Sequence, residues 1–219
     1  MIDLSIILIT NDNPKLLGEC LTSIYKSKTK ISFEVIVIDN KSKNNDALPM
    51  QSKFPGIKII QNKKRESFPV NNNKGISSGV GRYFLLLNID TVVMSNTFDT
   101  MVEFMDSHPD AGISSCKLIY PDGGFQLSCR RYPTILSLFS NWQFISRKLP
   151  KYKFLNNIRS RYLMKDWDHS EIRVVDWVIA AFFVLRRETI EMIGLLDETF
   201  MPPMYVEDIE FCYRAKMYG

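Results

Sequence analysis

The sequence predicts an α/β fold with a central, mostly parallel sheet. Three observations carry this. Short apolar runs of β-branched character alternate with segments of helical periodicity. Turn residues punctuate the boundaries. Two of the apolar runs end on an aspartate, at the sheet edge where α/β proteins collect ligands.

Leu4 to Ile9 is the first apolar run and reads as a buried strand, broken by Asn11 to Pro14. Leu16, Leu17, Cys20, Leu21 and Ile24 recur at helical spacing, so a helix follows. Phe33 to Ile38 is a second strand, ending at Asp39-Asn40. Pro55-Gly56 precedes a short third strand, Ile57 to Ile60. Asn71 to Ser78 reads as a helix, and Tyr83 to Leu87 as a fourth strand running into Asn88-Ile89-Asp90. Strands separated by helices imply a sheet covered on both faces.

Phe98 to Met105 reads as helical, with Ser95 or Asn96 as its cap. Ala111 to Ile119 reads as one further strand, stopped by Pro121-Asp122-Gly123-Gly124. Phe125 to Asp168 is basic, aromatic and broken by Pro133 and Pro150; it has no simple period. Val174 to Leu185 is strongly apolar apart from Asp176. Arg187 to Ile193 and Val206 to Met217 read as helices.

The length of 219 residues suffices for one substantial core. Lys and Arg number 28 against 24 Asp and Glu, a net charge of +4 that suits a diphosphate ligand or a weak encounter with an acidic membrane. The basic residues are spread along the chain without the clustered footprint of a nucleic-acid binder, so no nucleic-acid partner is expected. Cys20, Cys116, Cys129 and Cys212 lack zinc-ligand spacing and read as free, mostly buried thiols. His108 and His169 lack ligand spacing too and read as surface residues. No signal-peptide pattern or membrane-length apolar stretch is present, so the expected location is the cytoplasm, including the inner face of its membrane. Phe139 to Lys153 is the candidate for that surface.

Several motifs, weak singly, occur in one order. They are Ser5-Ile6-Ile7 with Asn11 and Pro14, then Val35 to Ser42, then Asn71-Asn72-Asn73-Lys74-Gly75-Ile76, then Leu85 to Thr91. Later come Val175-Asp176-Trp177 with Arg186-Arg187, Gly194 to Glu198, and Tyr205-Val206-Glu207-Asp208. Together they cover nearly the whole chain, which resembles the family-2 glycosyltransferases of the GT-A fold, a Rossmann-like sandwich, and in particular their rhamnosyltransferase-like branch.

The resemblance implies an inverting, metal-dependent transferase. It would move rhamnose or another hexose from a nucleoside diphosphate sugar to a saccharide or lipid-linked saccharide, in surface polysaccharide synthesis of the cell envelope. dTDP-rhamnose is the favoured donor, with UDP-sugars next. Residues 1–95 become a nucleotide-binding half and 96–219 an acceptor-side half of one domain.

Donor binding falls to Thr10, Asn11, Asp39, Asn71, Asn88 and Asp90, with Asp39 on the base and Asp90 on Mg²⁺ or Mn²⁺. Asp208 is the catalytic base and Glu207 its helper; Asp176, Trp177 and Arg214 belong to the sugar or acceptor pocket. The chemistry suits these types: a divalent cation takes carboxylate and phosphate oxygens, and a base removes the acceptor proton. An aspartate at its ordinary pKa near 4 is a weak base, so burial or Glu207 must raise it.

Each residue also has a purely structural reading. Asp39 and Asp90 fit helix caps or turns, Asn71 a cap, Glu207-Asp208 a favourable helix start, Asp176 a partner for an arginine, and Trp177 the core. The sequence departs from the family at Ile89, where relatives often carry proline, and at Ile179-Ala180, which replace a smaller pair and narrow the pocket. Relatives usually continue past the equivalent of Gly219 with a strand and a histidine-bearing segment, so the usual C-terminal segment is expected to be lacking. An apolar patch left by that lack would favour a homodimer.

Two alternatives stand beside the transferase: a catalytically silent nucleotide-sugar-binding domain, and a nucleotidyltransferase-like enzyme. The second needs a glycine-rich basic loop after the first strand, which Thr10 to Leu17 does not supply.

Overall fold

The computed structural model describes residues 2–137, 153–200 and 206–218. It divides into two compact units, one of residues 1–116 with 180–219 and one of residues 117–179. The candidate membrane surface at 139–153 and Tyr205 lie outside the described residues, apart from the backbone of Lys153.

The larger unit carries a six-stranded sheet. Its strands are β1 (Leu4–Thr10), β2 (Phe33–Asp39), β3 (Ile57–Gln61), β4 (Tyr83–Leu87), β5 (Ile113–Ser114) and a late strand, Phe182–Arg186, named β10 below. The order is β3-β2-β1-β4-β10-β5. β1 to β4 pair in parallel, and β10 is antiparallel to both β4 and β5. The sheet is therefore mostly parallel, as the alternation of strand and helix patterns predicts. The reversed strand is the exception. Its apolar run reads the same in either direction, so composition carries no polarity.

Helices α1 (Pro14–Lys26), α2 (Leu48–Lys53), α3 (Phe68–Ser78) and α4 (Thr97–Ser107) follow the first four strands. The core is built from both faces of the parallel strands. Ile6, Leu8, Val37, Leu85 and their neighbours are buried, facing the apolar stripe Leu17, Cys20, Leu21 and Ile24 of α1 and Phe98, Met101, Val102 and Met105 of α4. Burying such a side chain contributes about 1.5–3 kcal/mol. That is why strands buried on both faces read as continuous apolar runs.

The α3 helix approaches β1 closely at Gly75. A methyl built there would collide with Ile7 Cγ2 and lie 3.0 Å from Cγ1 and 3.1 Å from Cδ1. Gly75→Ala is therefore expected to destabilise by about 1–3 kcal/mol despite the gain in helix propensity. Thermal melts check this, and pairing the change with Ile7→Ala should cost less than the sum of the two single changes. Strict additivity would show that the helix does not rest on Ile7.

The smaller unit has two short antiparallel pairs and a helix. β6 (Leu118–Ile119) pairs with β7 (Phe125–Gln126) around the Asp122-Gly123-Gly124 turn. β8 (Cys129–Arg130) pairs with β9 (Trp177–Val178), and α5 (Lys153–Tyr162) lies between them in sequence. Ala111 to Ile119 is thus not one strand. β5 ends at Ser114, and the Ser115 hydroxyl donates to the Phe182 carbonyl at 2.7 Å, while Leu118 turns to pair with Gln126.

After the strand at Phe182–Arg186 (β10), the chain forms α6 (Arg187–Ile193) and α7 (Glu207–Tyr218). Phe211 on α7 is fully buried and meets Phe183 of β10 edge-on, ring centroids 6.3 Å apart. This contact fixes where α7, and the acids of its first turn, stand against the sheet. Among the described residues no helix is long and apolar enough to cross a membrane.

Candidate active site

The candidate site is the carboxyl rim of the parallel strands. β1 ends at Thr10, paired with Asp39 at the end of β2, which pairs in turn with Gln61 at the end of β3. On the other side Leu8 pairs with Leu87, the last residue of β4, so Asn88 emerges at the same edge. The amide of Asn88 donates to the Ala181 carbonyl at 3.0 Å. The amide of the preceding Ala180 donates to Asp208 Oδ2 at 3.3 Å. Strand spacing of 4.7–4.9 Å puts the ends of β2 and β4 about 10 Å apart. Asp39, the Asn88–Asp90 turn and Asp208 therefore share one rim of one unit.

Each acid is held differently. Asp39 is 1% exposed; its Oδ1 accepts from the Ser42 amide at 2.8 Å and its Oδ2 from the Ala47 amide at 3.3 Å. Its carboxylate thus shapes the loop after β2. Asp90 is the opposite: an exposed carboxylate with no hydrogen-bond or ion-pair partner among the described residues. Its turn is pinned from below. The Cys20 thiol faces the Asn88 carbonyl at 3.9 Å, and the Val93 amide donates to Ser23 Oγ at 3.0 Å. Burial, with the Asp90 charge added, pushes the Cys20 thiol up to about 12, so it stays a neutral donor.

Asp208 is partly buried at the start of α7. Burial raises its carboxyl to about 6, the adjacent Glu207 charge adds to this, and the amides of Ala180 and Ile209 oppose it. The raised affinity for a proton that a base in this position requires is thus present.

The remaining predicted residues fall into place less directly. Thr10 is fully buried, and its hydroxyl points back to Asp46 Oδ2 at 3.1 Å. Asn11 lies beside it in the β1 loop, its Oδ1 buried without a hydrogen-bond partner among the described residues. Asn71 belongs to a buried amide network. Its Oδ1 accepts from Asn62 at 2.6 Å and its Nδ2 donates to the Ser67 carbonyl at 2.8 Å, while Asn62 also donates to Asn40. The Asn71 amide is thus engaged inside the fold.

Arg214 is engaged within the fold as well. Its guanidinium pairs with Glu210 at 2.7 Å and donates to the carbonyls of Ile193 and Leu195. It closes the end of α6, where Gly194 adopts φ +86.

Asp176 and Trp177 lie in the smaller unit. Asp176 Oδ2 accepts from the Tyr132 amide at 2.9 Å; buried Trp177 donates its indole N–H to the Arg131 carbonyl at 2.9 Å. The indole is core there, not an open stacking face.

Both histidines are more involved than surface residues. His108 stacks on Phe104 at 4.3 Å, and His169 on Trp167 at 3.7 Å. Burial first, then the Lys117 charge, lowers the His169 pKa and favours neutral imidazole. All four cysteines are free, and three are buried.

Asp46 is the residue that sequence reasoning missed. It is 3% exposed and joins the Thr10 hydroxyl and the Asn13 amide, the latter at 2.7 Å. It thereby ties the loop after β1 to the loop after β2. The signal available was an acid inside a polar loop just before a proline-led helix.

Among the described residues no group of three His, Cys, Asp or Glu side chains converges as a metal cage. A single free carboxylate at the rim still fits Mg²⁺ or Mn²⁺, which are commonly held by one or two carboxylates, waters and substrate phosphates.

Glycosyl transferase family 2 matches residues 5–183 of the chain. The chain belongs to this family. Among its curated relatives is the O-antigen biosynthesis protein RfbC of Myxococcus xanthus, 24% identical over 217 residues, which are 98% of this chain and 16% of that protein. The uncharacterised protein y4gI of Sinorhizobium fredii is 27% identical over 126 residues, 56% of this chain and 14% of its own.

Solved structures share the GT-A fold. S. aureus TarS 1-349 in complex with UDP-GlcNAc aligns with TM-score 0.65 at 17% identity, over 98% of this chain and 53% of that one. The Pyrobaculum calidifontis mannosyltransferase PcManGT, in complex with GDP-Man and Mn²⁺, aligns with TM-score 0.61 at 14% identity, over 95% and 51%. The family-2 chain therefore spans about half the length of these solved structures and about one-sixth of its curated relatives. In this fold Asp39 ends β2 and Asn88-Ile89-Asp90 follows β4, with β1 between the two strands, and Asp208 accepts from the Ala180 amide just before β10.

Proposed function

We propose that this family-2 chain transfers a hexose, rhamnose being the favoured one, from a nucleoside diphosphate sugar to a saccharide or lipid-linked saccharide, with inversion at the sugar carbon. Surface polysaccharide synthesis is the setting supported by the relative named for O-antigen biosynthesis. One observation carries the reading. Asp208, with its carboxyl raised to about 6, stands at the same rim as a partner-free Asp90 and a loop-forming Asp39.

The nucleotide lies along the rim, its base against the loop after Asp39 and its diphosphate toward Asp90. Asn11 and Asn88 flank it, while Asn71, Thr10 and Asp46 hold the loops that it touches. Asp90 holds Mg²⁺ or Mn²⁺, which when bound neutralises charge on the departing diphosphate. Asp208 takes the proton of the acceptor hydroxyl as that oxygen attacks the sugar carbon. Glu207 keeps the Asp208 proton affinity high. Arg214 acts as a positioning residue that locks α7 to the end of α6. Asp176 and Trp177 shape the smaller unit.

The test is a titration of nucleoside diphosphates and their sugars with and without Mn²⁺, followed by a product assay with saccharide acceptors. Asp90→Ala is expected to erase the metal-dependent gain in nucleotide affinity and leave the metal-free affinity unchanged. Retention of that gain would remove Asp90 from the cation's shell. Donor binding by wild type without transfer to any acceptor would favour the silent domain.

A further inference from the structure

Basic residues that are scattered in sequence are gathered by the fold around one groove of the larger unit, beside the loop that follows Asp90. The groove encloses about 750 Å³ and runs along the outer face of α1. Gly18, Glu19 and Thr22 of α1, Met50 and Phe54, and the Val92 to Met94 loop line it. Lys15, Lys26 and Lys53 stand around it. Lys28 and Lys30 are exposed in the turn after α1, where the Lys28 carbonyl accepts from the Asn96 amide at the end of the Val92 loop.

Opposing charge is sparse. Glu19 lies 3.9 Å from Lys15, with both side chains largely exposed. Asp99, near Lys30, has Oδ1 occupied by the Thr29 hydroxyl and the amides of Lys30 and Ile31. Val92 and Met94, on the loop that walls the groove, are 69% and 63% exposed. Exposed apolar tips within a lysine rim are the composition of a surface that inserts shallowly into an anionic interface.

We infer that this groove docks on an anionic lipid bilayer, with Val92 and Met94 entering the headgroup boundary and Lys15, Lys26, Lys28, Lys30 and Lys53 lying over the acidic headgroups. The charge pattern favours a lipid sheet over a folded protein partner. The lysines ring the groove in a loose array, Lys15 alone in an exposed pair with Glu19, which suits a fluid field of negative charge. The loop that carries Val92 and Met94 begins at Asp90, so docking brings the rim of the candidate site to the membrane surface. The inference does not depend on the proposed transfer, because vesicle binding is read without any donor or acceptor.

The experiment is sedimentation of the 219-residue chain with vesicles of phosphatidylcholine alone and of phosphatidylcholine with phosphatidylglycerol. The chain is expected to sediment only with the anionic vesicles and to be released by salt. Lys26→Gln with Lys53→Gln should weaken that binding about thirtyfold, since each lysine near such a surface contributes about 1 kcal/mol. Val92→Ser with Met94→Ser should weaken it too while leaving the salt dependence in place. All variants are exposed-surface changes, and circular dichroism verifies their fold. The proposal is overturned by no sedimentation with anionic vesicles, by equal sedimentation with neutral ones, or by lysine variants that bind like wild type. Capture by immobilised polyglutamate without vesicle binding would assign the groove to an acidic protein instead.

Discussion

Asp208→Asn is expected to lower transfer about a hundredfold to ten-thousandfold while leaving donor affinity unchanged, the range typical for loss of a general base. The same change should stabilise the protein above neutral pH. Ionising Asp208 is harder in the folded chain, where burial raises its carboxyl from 3.8 to about 6. The folded state therefore binds more protons than the unfolded state between those values, and stability falls as pH rises through that window. Above it the carboxylate destabilises the fold by on the order of 3 kcal/mol, which the neutral amide avoids.

Chemical unfolding of both proteins on either side of the window checks this. The variant should gain on wild type at high pH and lose that advantage below 3.8. Wild-type transfer should climb with pH through about 6 as the base ionises. A flat profile in that range, or a variant with wild-type turnover, removes Asp208 from the chemistry.

Asp39→Ala is the second large effect, and it couples stability to binding. The substitution strips the acceptors from the buried amides of Ser42 and Ala47. Each unsatisfied N–H costs about 1–3 kcal/mol, so a loss of about 3 kcal/mol is expected. In a chain of this size that lowers Tm by roughly 6–12 °C. The loop after β2 loses its shape with those bonds, and nucleotide affinity should fall with and without metal. That sets it apart from Asp90→Ala, which acts only through the cation. A variant with unaltered Tm would show that the loop is held by other means, and unaltered affinity would separate the loop from the nucleotide.

The parallel strands were legible because burial on both faces forces unbroken apolar runs, and Leu4 to Ile9 or Tyr83 to Leu87 admit few other readings. The direction of Phe182–Arg186 was not legible, since register and polarity are tertiary facts. The six-residue helix Leu48–Lys53 escaped because it is too short to show a period; Pro49 in its first turn was its one signal. Ala111 to Ile119 misled because two separate strand fragments adjoin in sequence, and only the hydroxyl of Ser115 and the pairing of Leu118 divide them.

At the site, the strand-end positions of Asp39 and Asp90 were readable from pattern alone, but their opposite states were not. Burial of Asp39 and exposure of Asp90 depend on where the following loops fold. The partner of Arg214 was legible too: Glu210 stands four residues before it on the same helix face, a spacing that favours an internal ion pair. Trp177 illustrates the reverse limit, because nothing local in Asp176-Trp177 says which way the indole turns.

Hydrogen exchange with and without a nucleoside diphosphate and Mn²⁺ tests the shared rim most directly. Slowed exchange in residues 10–13, 40–47 and 88–95, with no change in 118–126, is the result that the arrangement of Asp39, Asp90 and Asp208 predicts. Protection confined to the smaller unit, or absent at saturating nucleotide, would contradict it.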